Sequence, residues 1–406
     1  MDLSLDAVPR RTTTVVGLIS GSQFVNHAYL VLFPPILGIL SGEFEVGLTA
    51  LGIALGVQGA TNTLFQLPFG WLADARDRTV AFALSSGLGA VGVLVVALAP
   101  SFPILVLGQA LIGVGVAGHH PAHYPLLSDA TPEDLRGRAY SVYGFGGSLG
   151  FATPPAVVTL VTGVGLSWRY AVGGIGVFGL LYAVAGTVVL SQFVDSDVTA
   201  PNVAASALAG RARRELAALT DSPGVLGLSL FALLSSTASW GVTSYAVVFL
   251  TSDTYGVALD TANLTLTGMF AVGAVAILLG GALTDRTSPA PVIVGSYAVV
   301  TALLVTLGAG ILPGLAAVVA MLAVGGVRSL AGPARDGLTD LLSADDAVGT
   351  NFAVVSVGVM LGNAVAPPAF GYLIDTAGAR AAFLAVAAVS GVATAVSIWL
   401  VVRVLD

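Results

Sequence analysis

The sequence predicts an all-α membrane protein of twelve transmembrane helices in two pseudo-symmetric six-helix bundles, and three observations carry that prediction. Charge is scarce: 9% of the 406 residues are charged and 56% are hydrophobic, whereas an ordinary soluble domain is roughly 25% charged. Twelve apolar runs recur along the chain, each long enough to cross roughly 30 Å of hydrocarbon at ~1.5 Å per residue. Residues of the first half then return in the second half at a nearly constant offset.

The runs lie near 12–39, 46–72, 79–99, 103–127, 139–163, 168–190, 224–250, 260–284, 290–312, 314–340, 348–373 and 380–403. They read as helices because they are too long for barrel strands and because lipid offers backbone groups no partners. The separators ARDR, APSFP, DATPEDLRGR, TDRTSPAP and SADD carry turn chemistry. A longer polar stretch, 191–223, divides the chain into an N-terminal bundle (1–190) and a C-terminal bundle (224–406), with a cytoplasmic linker between them. Within the fourth run, Pro121 and Pro125 remove donors to the carbonyls of Ala117 and Pro121, which predicts a kink or exposed carbonyls there. The 51 glycines suit close helix packing, and stripes such as Gly52/Gly56 read as packing surfaces.

Composition excludes several functions. There is no cysteine, so disulfides and thiolate metal sites are absent. All 15 basic residues are Arg, against 22 acids; this acidic, lysine-free usage suits a high-salt environment, and no basic face offers itself to nucleic acid. The start, MDLSLDAVPRRTTT, is polar, and the run behind it exceeds a signal-peptide core, so no cleavable signal is expected. Arg10, Arg11, Arg76, Arg78, Arg136, Arg138, Arg211, Arg213, Arg214, Arg286 and Arg403 fall on one side of the spans, and only Arg169 and Arg380 on the other. Eleven against two puts both termini in the cytoplasm of a cell-membrane protein.

The offset is specific. GWLAD at 70–74 returns as GALTD at 281–285; Pro121, Asp134, Gly137 and Gly150 return as Pro333, Asp346, Gly349 and Gly362; Arg169 returns as Arg380. Duplicated six-helix halves are an architecture of secondary transporters, with the substrate site between the halves. These residues resemble the major facilitator superfamily. Its signature loop after the second span, G-x-L-A-D-R-x-G-R-[RK], is met by Gly70, Leu72, Ala73, Asp74 and Arg78, while Ala75, Asp77 and Thr79 depart from it. PEDLRGRA at 132–139 and SWRYA at 167–171 are similar to the family as well. The resemblance implies a protein that rocks between outward- and inward-open states around a cavity lined by spans 1, 4, 7 and 10. Within the superfamily the nearest look is to fosmidomycin-resistance-like exporters, through SQFVNHAYLVLFPPI at 22–36 and HHPA at 119–122, with Ala122 standing where that group has an acid. Gly146 and Gly150 suggest an antiporter motif on span 5, but Phe151 stands at its proline position.

On that scaffold all four histidines fall on cavity helices: His27 on span 1, and His119, His120 and His123 on span 4. At about 100° per residue the three on span 4 fall within one arc with Gln109, and on span 1 Ser20, Gln23 and His27 align with Asn26 beside them. Arg328 lies near the bilayer midplane on span 10, and Arg335 follows on the same face. Ser236, Trp240 and Thr243 share a face of span 7. Guanidinium forks match carboxylate or phosphate geometry, and imidazole changes charge near neutral pH. The expectation is therefore a small or amphipathic organic anion held between Arg328 and the histidine stripe, with histidine protonation coupling H+ to transport.

The plainer readings stand beside it. The imidazoles and Trp240 could simply pack between helices, and Arg335 could pair with Asp336 or Asp340. Asp74, Arg78, Asp285 and Arg286 read as a cytoplasmic gate of charge pairs and helix-end dipoles. The pair His119/His123 has metal-ligand spacing, but without nearby acid or Cys the expectation is no metal and no other cofactor. A proton-coupled multidrug exporter of neutral or cationic lipophiles is the alternative carrier. An enzyme would leave the duplication unexplained, and a channel fits six-plus-six pseudo-symmetry less well. A monomer is expected, since one chain supplies both halves of the site.

Overall fold

A computed structural model describes residues 8–75, 78–193, 223–341 and 348–402, and it is all-helical over those residues. In chain order the helices are α1 (Arg10–Leu30), α2 (Leu37–Phe44), α3 (Leu48–Ala75), α4 (Arg78–Leu98), α5 (Phe102–Ala117), α6 (His119–Ala130), α7 (Arg136–Gly163), α8 (Trp168–Leu190), α9 (Pro223–Thr251), α10 (Leu259–Arg286), α11 (Pro289–Gly308), α12 (Gly314–Leu341) and α13 (Val348–Leu400). Eleven stretches among the described residues are long and apolar enough to span a membrane. Large apolar side chains such as Leu64, Leu160, Leu278 and Leu315 are 70%, 71%, 66% and 79% exposed, a surface that lipid solvates and water would not.

Three runs depart from simple rods. The first breaks at Pro34 and Pro35, which bring no N–H to the ladder, so a 3-10 turn at Pro34–Ile36 joins α1 to α2. The fourth divides at Gly118, three residues before Pro121. Pro121 then sits in the first turn of α6, where no donor is needed, and only Pro125 lies inside that helix. The duplicate proline, Pro333, lies within the continuous α12. The last two runs form the single element α13, whose limbs meet at Gly378 with φ 86° and ψ 162°, a conformation only glycine takes without strain.

The helices cluster into two compact units. The first comprises Met1–Leu30, Thr61–Pro154 and Leu166–Val203, and the second Val31–Ala60, Pro155–Gly165 and Ala204–Asp406. Ile19, Phe82, Leu126, Leu127, Tyr143 and Leu190 belong to the core of the first unit. Phe231, Ile293, Tyr297, Leu338, Val355 and Leu400 belong to that of the second. The repeated arginines do the same work in each. Arg169 donates to the carbonyls of Ala97 and Ala99 at the end of α4, both at 2.8 Å. Arg380 donates to the carbonyls of Gly308, at 3.1 Å, and Ala309 at the end of α11. A cation on the last carbonyls satisfies orphan acceptors and opposes the negative helix end.

Within the second unit, the N-terminal half of α3 packs along α13. A Cβ on Gly52 would lie 2.4 Å from the Pro367 carbonyl oxygen, and one on Gly56 2.9 Å from that of Ala364, so these glycines permit backbone contact. Asp375 accepts from Leu48 N at 2.9 Å, Thr49 N at 2.7 Å and Thr49 Oγ1 at 2.6 Å, capping α3 from another helix. Tyr245 Oη on α9 donates to the Pro367 carbonyl at 2.6 Å. Charge-assisted bonds to free helix-end donors contribute about 1–2 kcal/mol. Asp375→Ala is therefore expected to lower the melting temperature of the detergent-solubilised protein by a few degrees, and Asp375→Asn by less; unchanged melting of both would show that the cap does not contribute.

Candidate functional site

The first unit gathers all four imidazoles. His27 of α1 lies 5.9 Å from His119 of α6 between ring centroids, edge to face. His119 lies 3.8 Å from His120 and 5.6 Å from His123. Neighbouring residues on a helix normally diverge by about 100°; here His119 opens α6 directly after the Gly118 break, and its ring tilts over that of His120. The local reason is a hydrogen bond: His119 Nδ1 contacts the Val116 carbonyl, and because a carbonyl only accepts, Nδ1 carries the proton. In the neutral ring that leaves the lone pair on Nε2, which is buried and has no hydrogen-bond partner.

The other rings are held from α1 and α7. Gln23 Nε2 lies 2.9 Å from His27 Nε2, one turn away on the same helix. Tyr143 Oη lies 3.1 Å from His120 Nδ1 and 3.2 Å from His123 Nδ1. A phenol donates one hydrogen, so it gives to one ring and accepts from the other, linking two imidazoles through a single oxygen. Tyr143 is the residue that sequence reasoning missed. Its signal was present: Tyr143, Gly147 and Gly150 are spaced four and seven apart and share a face of α7. The glycines let α1 in, since a Cβ on Gly147 would lie 2.6 Å from His27 Nδ1, and one on Gly150 2.2 Å from the Phe24 carbonyl oxygen. Phe151 covers His27 at 4.2 Å between centroids.

Not every residue of the predicted stripe joins the cluster. Asn26 Nδ2 bonds back to the Ser22 carbonyl at 2.9 Å and to its Oγ, and Ser22 faces Ser86 of α4 at 3.5 Å. Gln109 is fully buried on α5, with neither amide atom hydrogen-bonded. Ser20 is buried, and its hydroxyl is likewise without a partner.

The second unit holds the arginines. Arg328 Nη1 donates to the Ser239 carbonyl and to Thr243 Oγ1, each at 3.2 Å, and the guanidinium lies 5.7 Å from the centre of the Phe270 ring. These partners are neutral, and no ion pair reaches Arg328 among the described residues. It lines a cavity of about 180 Å³ with Ser239, Tyr297, Ser329 and Arg335. Arg335 also pairs with Asp336 at 3.0 Å, as its neighbours in sequence suggested. Ser236 donates instead to the Val359 carbonyl at 2.6 Å, and Trp240, half-buried on α9, is not among the residues lining the cavity.

Of the predicted gate, Arg78 forms an ion pair with Asp129, at the end of α6, a partner not foreseen. Arg286 is exposed. The side chains of Asp74 and Asp285 lie outside the described residues, as do the linker from 194 to 222 and Asp346.

Comparison with known proteins agrees with this fold. Residues 19–250 and 228–405 match the sequence profile of the Major Facilitator Superfamily. The chain is 26% identical over 294 residues to the uncharacterized MFS-type transporter YfnC of Bacillus subtilis, covering 71% of this chain and 69% of YfnC. It is 25% identical over 183 residues to the fosmidomycin resistance protein of Escherichia coli, covering 45% of this chain and 43% of that one. In three dimensions it is similar to a bacterial homolog of the human lysosomal transporter Spinster in an inward-facing, occupied conformation. That match has a TM-score of 0.81 and 16% identity, and it covers 98% of both chains. The chain belongs to the Major Facilitator Superfamily, and it is a multi-pass membrane transporter.

The α1–α7 contact behind the histidine cluster can be tested by steric means. Gly150→Val should lower the melting temperature markedly, by about 1–3 kcal/mol of overpacking. Gly144→Ala, where an added Cβ meets nothing within 4 Å, should leave melting unchanged or slightly raised; equal effects of the two would contradict this packing.

Proposed function

We propose that this protein is a secondary active transporter of a small or amphipathic organic anion, working by alternating access and coupled to protons. The observation that carries the reading is Arg328, a guanidinium held only by neutral groups at a cavity of about 180 Å³ in a membrane protein. A charge within the membrane is costly and marks a pathway or a ligand, and a planar fork whose partners are all neutral suits a carboxylate or phosphate. Arg335 lines the same cavity, with its charge balanced by Asp336.

The histidine cluster supplies the proton side of the reading. Imidazole is the side chain whose unperturbed charge change falls between about pH 5 and 8, and Tyr143 links two of the four rings by short contacts. No carboxylate joins the imidazoles among the described residues, so histidine takes the place of the acid in this account. Counting the two limbs of α13 as separate spans raises the eleven spans to twelve, which we read as two duplicated bundles, 1–190 and 224–406, joined by the 191–223 linker. The arginine asymmetry supports cytoplasmic termini in a plasma-membrane protein, and we read it as a monomer. A proton-coupled exporter of neutral or cationic lipophiles is the second reading, because membership of the Major Facilitator Superfamily leaves the cargo open.

Counterflow in proteoliposomes decides between them. A panel of carboxylates and phosphonates, fosmidomycin among them, is expected to compete for saturable uptake where lipophilic cations do not. Arg328→Ala should reduce anion uptake by about tenfold or more, the loss of one charge-assisted contact, with Arg328→Lys intermediate. Anion uptake unaffected by Arg328→Ala, or competition by cations alone, would overturn the anion reading.

A further inference from the structure

The histidine cluster has a second capacity. One ring nitrogen from each of His27, His119 and His120 lies within 4.8 Å of the other two. Tetrahedral zinc with Zn–N bonds of ~2.0–2.1 Å sets its ligand nitrogens about 3.4 Å apart, a closure that small side-chain rotations supply. We propose that these three residues form a binding site for a borderline divalent transition-metal ion such as Zn2+ or Co2+.

Proximity alone would not carry this; the hydrogen bonding does. A histidine ligand needs one nitrogen free as a lone pair and its other nitrogen fixed by an outer partner. His119 meets both conditions: Nδ1–H is committed to the Val116 carbonyl, while Nε2 is buried without a partner on a residue only 3% exposed. His27 differs: Gln23 Nε2 donates to its Nε2, and a turn of the Gln23 amide, whose Oε1 is buried without a partner, would let that oxygen accept from Nε2–H and free His27 Nδ1 for a metal. His120 has Nδ1 at Tyr143 Oη, leaving Nε2. With that turn, outer partners on three helices, Gln23, Val116 and Tyr143, orient the three rings, and a metal ion would satisfy nitrogens that are otherwise buried without a partner.

The donor set selects the ion. Three neutral imidazoles suit Zn2+, Co2+ or Ni2+, whereas Ca2+ and Mg2+ require oxygen ligands. No Asp or Glu joins the group among the described residues, so the fourth coordination position takes water or an anion, as in open zinc sites. His27 and His119 come from α1 and α6, so the ion would tie the first helix to the segment that follows the Gly118 break. The cluster takes in every histidine of a chain without cysteine, so a multi-imidazole signal from the untagged protein reports this site alone.

The test uses the full-length protein in detergent with no polyhistidine tag, and it does not depend on the anion reading because no transport is measured. Zn2+ titration by calorimetry should show one saturable site per chain and raise the melting temperature. The Zn edge absorption spectrum should show a nitrogen shell with imidazole scattering, and Co2+ should give the intense visible bands of a tetrahedral site. His27→Gln and His119→Gln should abolish saturable binding, and Tyr143→Phe should weaken it by about tenfold or more through loss of the outer partner. The spectra of the unaltered chain keep the proposal testable if a variant fails to fold. Absence of saturable binding, an oxygen-only shell, or binding unaffected in a folded His27→Gln/His119→Gln variant would overturn it.

Discussion

Hydrocarbon leaves a polar group nothing to bond with, and that constraint runs through this protein from its backbone to its histidines. It forces the chain into helices, because only a helix satisfies its backbone within itself. It then governs the helix ends. Arg169 and Arg380 each reach the final carbonyls of a neighbouring helix, and Asp375 reaches the free donors at the start of α3. A side chain from one helix thus completes another.

The same constraint makes the two polar groups informative. A polar atom buried here is either satisfied by its own turn, as in Asn26 bonding back to Ser22, or held by a neighbouring helix, as in Tyr143 between His120 and His123. Among the buried atoms left without a partner, Gln23 Oε1, His27 Nδ1 and His119 Nε2 belong to the histidine cluster of the first unit, while others, such as both amide atoms of Asn263, lie elsewhere. In the second unit Arg328 has partners, but none that balances its charge. Unspent hydrogen-bonding capacity in one place and unbalanced charge in the other are the physical grounds for assigning a proton or metal function to the first and an anion to the second.

Much of this was legible in the sequence because lipid imposes a strong pattern. Long apolar runs marked the spans, helical spacing placed three histidines on one arc, and a fixed offset paired Arg169 with Arg380 before their shared work on helix ends was visible. Other features depended on interactions that no spacing encodes. Prolines suggested a kink, but the break falls at Gly118, where the His119 side chain takes a carbonyl from its own turn. Tyr143 lay hidden in an aromatic, glycine-rich stretch, because its value comes from rings on another helix. Arg78 found Asp129, far away in sequence. The final two runs joined through Gly378 because a glycine with positive φ turns the chain with almost no loop.

The central claim is that the four imidazoles form one cluster in which His119 is buried with a fixed tautomer, and 15N-histidine labelling tests it most directly, since the chain has only four histidines. Nuclear magnetic resonance of the labelled protein in bilayers should resolve a His119 ring protonated at Nδ1, with slow solvent exchange and through-space contact between the rings of His27 and His119. Four rings exchanging rapidly with water, with averaged tautomers and no contact between α1 and α6, would contradict the account.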